Sequence, residues 1–97
     1  MDGRVETDVI TPTIGRVVHF RPGPGARAVM CVRSEQPLCA HIINVWNERR
    51  VALHVIDHEG HTHFIASAQL LQDGDMPPTN ISYCEWVQYQ RDVAAHA

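Results

Sequence analysis

Ninety-seven residues, 44% of them apolar and 20% charged, suit one small folded domain, since a core of this size cannot be divided and still offset chain entropy. Wholesale disorder is excluded on composition, and no window approaches the roughly 18–20 continuous apolar residues that a membrane-crossing helix needs. The net charge is −3 and all eight cations are arginine, so no phosphate loop of the G-x-x-x-x-G-K-[ST] type exists and nucleic acid is a poor partner.

The charge is unevenly laid out. Residues 1–13 carry −2, residues 14–50 carry +4 through Arg16, Arg21, Arg27, Arg33, Arg49 and Arg50, and residues 51–97 carry −5. That segregation suits an anion-binding face, or two halves that attract one another across subunits. Met1, Asp2, Gly3 and Arg4 lack the basic-then-apolar layout of a secretory leader, so a cytoplasmic location is expected. Cys31, Cys39 and Cys84 make an odd count without CxxC spacing, against a disulfide framework or a thiolate zinc knuckle.

Residues 1–13 have no sustained period and read as a flexible N-terminal arm. From Ile14 to Phe20 the alternation predicts a half-buried strand that Gly15 enters. Residues 21–27, with two Pro and two Gly, form a loop, and residues 28–32 (AVMCV) suggest a short extra strand before a polar break at 33–37. From Leu38 the chain reads as three strands, LCAHIINVW, VALHVID and HTHFIASAQL, joined by the turns NERR and HEG into an antiparallel meander. Residues 72–80 are a loop, in which Asp73 and Asp75 read as solvated, and ISYCEWVQY is the last strand.

These elements predict an all-β fold: a small SH3-like or OB-like antiparallel barrel of about five short strands spanning 14–90, with a C-terminal tail at 91–97. Closure removes the sheet edges that invite aggregation.

His54, His58, His61 and His63 crowd into one hairpin, and its register decides whether three imidazoles converge. Pairing 56 with 61 sets His54 opposite His63, with His61 on the same face, at distances that zinc accepts. Pairing 57 with 61 sends His54 and His63 to opposite faces. Asp57 at the first position of a type I turn and Gly60 in the left-handed bulge position favour the second register, so no metal site is expected. No cofactor is expected either.

For nucleophilic catalysis, Cys84 or Cys39 with a histidine offers at most a dyad, and Ser67 and Ser82 lack a nucleophile-elbow context. The chain is therefore read as a non-enzyme. Binding is better supported. Arg16, Arg21, Arg49 and Arg50 bring phosphate-matching forks to strand ends, and Trp46, Trp86 and Tyr89 bring flat faces on which a base can stack.

The segments IGRVVHF, AHIINVW, VALHVID with its following Gly, and the closing YCEWVQYQ resemble a family of small bacteriophage and prophage proteins. Its members open with a G-R-x-V-H-[YF] strand, continue through A-x-I-x-x-V-W and V-x-L-x-V-x-D strands, and close with a Trp-containing segment. The matching positions are Gly15, Arg16, Val18, His19 and Phe20; Ala40, Ile42, Val45 and Trp46; Val51, Leu53, Val55 and Asp57; Ser67; and Glu85 with Trp86. The resemblance spans about residues 14–90 and departs from the pattern in the Pro-Gly insertion at 22–25 and in His61 and His63.

The resemblance implies phage origin and a small β-barrel, in a family mostly without assigned function. Joined to the Arg-plus-aromatic inventory, it leads to an expected role: an oligomeric counter-defence protein of the host cytoplasm that sequesters a nucleotide-type immune signal without cleaving it. The alternative is a structural or accessory virion component, or another protein-interaction module.

Overall fold

The computed structural model describes residues 9–87. Five strands form a closed barrel: β1 Val17–Arg21, β2 Leu38–Asn47, β3 Arg50–Ile56, β4 Thr62–Leu71 and β5 Tyr83–Trp86. Neighbours follow chain order, unlike the Greek-key OB barrel. β1 pairs antiparallel with β2 and β5, the central meander is antiparallel throughout, and β4 meets β5 in parallel because residues 72–82 carry the chain back across the barrel end. Among the described residues no helix is long and apolar enough to cross a membrane.

Period-two alternation explains the core. Val18 and Phe20 of β1, Leu38, Ala40 and Ile42 of β2, Val51, Leu53 and Val55 of β3, Ala68 and Leu70 of β4, and Cys84 and Trp86 of β5 point inward and are buried. The intervening residues of β1 and β2, among them Val17, His19, Cys39 and His41, line the outside.

Three of the expected boundaries are corrected. The strand expected from Ile14 begins at Val17, because Gly15 sits at φ 96°, a left-handed turn conformation. The loop at 21–27 contains a single helical turn, α1, Pro24–Arg27, whose first residue is a proline already set at a helical φ. Residues 28–32 form no strand. They descend from α1 by Val29 N–H and Met30 N–H bonds to the Ala26 carbonyl, bury Met30, and are then strapped to the β3–β4 turn.

Of the segment expected as an arm, only residues 9–13 are described, and they lie against the barrel end. Ile10 exchanges two backbone hydrogen bonds of 3.0 Å with the amide of Gln72, and Pro12 is buried. The tail at 91–97 and the last residues assigned to the barrel, 88–90, lie outside the described residues.

The β3–β4 hairpin adopts the register with 57 opposite 61. Asp57 N–H bonds the His61 carbonyl at 2.9 Å, Val55 pairs with His63, and Gly60 occupies φ 88° after donating to the Asp57 carbonyl. Turn chemistry decides it: glycine enters the left-handed well without strain. His54 consequently pairs with Phe64 on the exterior and does not meet His63.

Candidate functional site

Two irregularities in β2 and one in β4 shape the outer face of the meander. Pairing with β3 shifts between Ile42 and Asn44 and again between Val45 and Asn47, leaving Ile43 and Trp46 as the extra residues. In β4 the shift opposite Val51 and Leu53 loops out the 66–67 segment. Bulged residues leave the ladder and re-aim their side chains, so Ile43 is 40% and Trp46 56% exposed.

The Trp46 indole does not swing freely. Its Nε1–H donates to the Ala66 carbonyl at 3.0 Å, so the ring spans from β2 to the β4 bulge across β3. Ala52 of β3, which alternation places on the outside and which lies between the β2 and β4 bulges, is buried. Arg50 reaches the same bulge, with a guanidinium N–H 3.5 Å from the Ser67 hydroxyl oxygen. An exposed, positioned indole and a loosely held guanidinium therefore reach adjacent residues of one bulge. Phe64, 68% exposed, extends the face along β4, with His54 opposite it.

The other expected binding residues are placed differently. Arg49 lies at the β2–β3 turn, but its Nε–H and a terminal N–H both donate to Asp75, at 2.8 and 3.3 Å, and another donates to Glu48 at 3.1 Å. Asp75, expected to be solvated, is thus a structural partner. It also accepts the Gln72 N–H at 2.9 Å, and its carboxyl is held below the ordinary value by the Arg49 hydrogen bonds and that backbone donor.

Arg16 and Trp86 are brought together, with the guanidinium carbon 5.7 Å from the ring centroid, a cation–π distance. Trp86, though, is 1% exposed and gives its indole N–H to Gln72 at 3.0 Å, so it is a core wall and offers no free face to a ligand. Tyr89 lies outside the described residues.

Arg21 is separate from all of these. Its Nε–H donates to Glu85 at 2.8 Å, and it borders a shallow hollow of about 400 Å³ with Val17, His19, Gln36, Pro37 and Cys39. His19 pairs directly with Cys39 on one side and Glu85 on the other, which sets a carboxylate, an imidazole and a thiol in one row on the outside of the barrel. No hydrogen bond joins the three among the described residues. Cys84, the other thiol considered for a dyad, faces the core, and burial pushes its pKa up to about 12.

Sequence reasoning missed Gln72 altogether. A glutamine at the junction of a strand and a loop carries no periodic signature, yet its side chain is a buried hub that bonds Ile10 twice, the Glu48 carbonyl and Trp86. No protein-family model, no curated protein and no solved structure matches the chain.

Proposed function

We propose that this barrel is a non-enzymatic binding module whose ligand is a small anionic molecule carrying a flat ring, the class to which nucleotides belong. The observation that carries the reading is the Trp46 and Arg50 pair at the β4 bulge. The indole is fixed at its edge by Ala66 and is 56% exposed, so a base that stacks there restricts little further motion. The Arg50 guanidinium, with one weak contact to Ser67, keeps donors for a phosphate. Arg49, engaged by Asp75 and Glu48 through three of its N–H groups, holds the turn that carries Arg50.

The burial of Cys84 and the separation of Cys39 from a hydrogen-bonded imidazole at His19 weaken the two cysteine dyads read from sequence, which supports holding a ligand over cleaving it. In the phage setting implied by the resemblance, the ligand would be a host nucleotide-type immune signal, sequestered by a homo-oligomer.

Titration with mono-, di- and cyclic nucleotides, read by tryptophan fluorescence and melting temperature, tests this. Quenching of the exposed indole is expected, with stabilisation of about 2.7 kcal/mol at a hundredfold excess over Kd. Trp46→Ala and Arg50→Gln should each lose the response. Absence of quenching and shift with every nucleotide at that excess overturns the reading.

A second reading, as a structural or protein-interaction module of the virion or the host cell, is favoured by the exposure of Ile43, Trp46 and Phe64 on the outer surface of the meander, since large apolar side chains left open to water suit contact with a partner. Detection of the protein in purified particles, with no nucleotide response, would select it.

A further inference from the structure

We propose that Cys31, Glu59 and His61 form a binding site for a single divalent transition-metal ion of the zinc class. The three donor atoms, a sulfur, a carboxylate oxygen and an imidazole nitrogen, all lie within 4.8 Å of one another. Cys31 Sγ and His61 Nδ1 are 3.7 Å apart. Zinc–sulfur and zinc–nitrogen bonds of about 2.3 and 2.05 Å at a tetrahedral angle put those atoms about 3.6 Å apart, so the pair already has the separation of one edge of a tetrahedron.

The donors come from two segments distant in sequence, and one buried side chain organises all three. Asp57 Oδ2 accepts the Cys31 N–H at 3.1 Å, and Asp57 Oδ1 accepts the N–H groups of Glu59 and His61 at 3.0 Å each. Two further bonds strap segment 31–33 to the turn: His58 N–H to the Cys31 carbonyl at 3.0 Å, and Arg33 N–H to His58 Nδ1 at 2.8 Å. The three backbones are thereby fixed while the three side chains stay reachable from solvent, which is the arrangement a metal needs to enter.

Donor chemistry selects the ion. A thiolate, an imidazole and a carboxylate suit zinc or cobalt(II), whereas magnesium and calcium require oxygen ligands. Cys31 releases its thiol proton to solvent as the metal–sulfur bond forms. Glu59 is ion-paired with Arg33 and shares its carboxylate between that guanidinium and the metal when the ion binds. The fourth position remains open to water or to an external ligand. His54 and His63, the partners weighed for His61 from sequence, take no part: His54 is on the barrel exterior, and His63 is bound to Asp57 at 2.8 Å.

The test is titration of the full metal-stripped chain with cobalt(II), followed by zinc competition. Expected are one equivalent bound, the visible bands of a tetrahedral ion and a thiolate-to-cobalt charge-transfer band, all abolished by zinc. Cys31→Ser should remove the charge-transfer band, His61→Gln and Glu59→Gln should each weaken binding at least tenfold, and His54→Gln should leave it unchanged. All four positions are at or near the surface, and circular dichroism of each metal-free variant checks that the barrel persists. Cobalt bound without a charge-transfer band, bound equally by Cys31→Ser, or not bound at one equivalent overturns the proposal.

Discussion

The Asp57 carboxylate, without exposed surface, accepts a hydrogen bond from His63 Nε2 at 2.8 Å and so joins the start of the β3–β4 turn to the second residue of β4. Its other lone pairs are taken by three backbone N–H groups, including that of Cys31 from the segment after α1. One side chain thus closes the turn and ties a long connection to it. Burial pushes the carboxyl upward, but the hydrogen bonds from His63, Cys31 and His61 prevail and hold it down at about 2.

Acid stability follows from this. A carboxyl whose folded value lies below its unfolded one contributes stability above the unfolded value, and that contribution disappears as pH falls toward the folded value. Asp75, also lowered, acts in the same direction. With chelator present, the melting temperature should drop between about pH 4 and about pH 2, and Asp57→Asn should flatten the drop. A wild-type melting temperature that is unchanged across that window would contradict the account.

Gln72 is the second hub. Gln72→Met keeps its length but leaves the Trp86 indole N–H and the Ile10 backbone without their partners at the barrel end. An expected loss of about 2–4 kcal/mol in urea unfolding reflects buried polar groups left unsatisfied. A loss below about 0.5 kcal/mol would mean that water replaces the amide freely.

Gly23 and Gly25 make a matched pair. A Cβ on Gly23 would lie 2.9 Å from the Ser82 backbone nitrogen and 3.0 Å from the Ile81 carbonyl carbon, while one on Gly25 meets nothing within 4 Å. Gly23 also donates its N–H to the Ser82 hydroxyl at 2.8 Å, tying α1 to the entry of β5. Gly23→Ala should cost about 1–3 kcal/mol by forcing backbone apart, and Gly25→Ala should be neutral or mildly stabilising by chemical denaturation. Equal effects would refute the close-approach argument.

The apolar exterior predicts association. Ile43→Ser combined with Phe64→Ser removes two exposed side chains outside the core, so unfolding free energy per chain should change by less than about 1 kcal/mol. Light scattering should show a wild-type mass above that of one chain and a variant mass closer to it. A monomeric wild type would remove the homo-oligomer from the proposed function.

Strands β2, β3 and β4 were legible because alternation over long stretches, bounded by polar turns, has only one economical packing. The hairpin register was legible for a local reason as well: Asp57 and Gly60 specify their turn within five residues. The segment 28–32 was misread because its apolar residues mimic a strand; Met30 turns into the core and Cys31 is captured by Asp57, 26 positions away. Trp86 and Trp46 looked equivalent in sequence, and only the inward phase of β5 and the bulge in β2 made one a core wall and the other a surface.

By itself the sequence determined an all-β barrel, its central meander and the turn at Asp57, since each rests on period and turn chemistry within a few neighbouring residues. Which arginines are free was decided only by tertiary structure. Arg49 and Arg50 are adjacent, yet one is ion-paired with Asp75 across the barrel end and the other reaches the β4 bulge beside the residue that holds Trp46. The same holds for His61, which the fold takes from the other histidines and sets against Cys31. Contacts between residues so far apart depend on barrel closure and on where bulges fall, which no local pattern encodes.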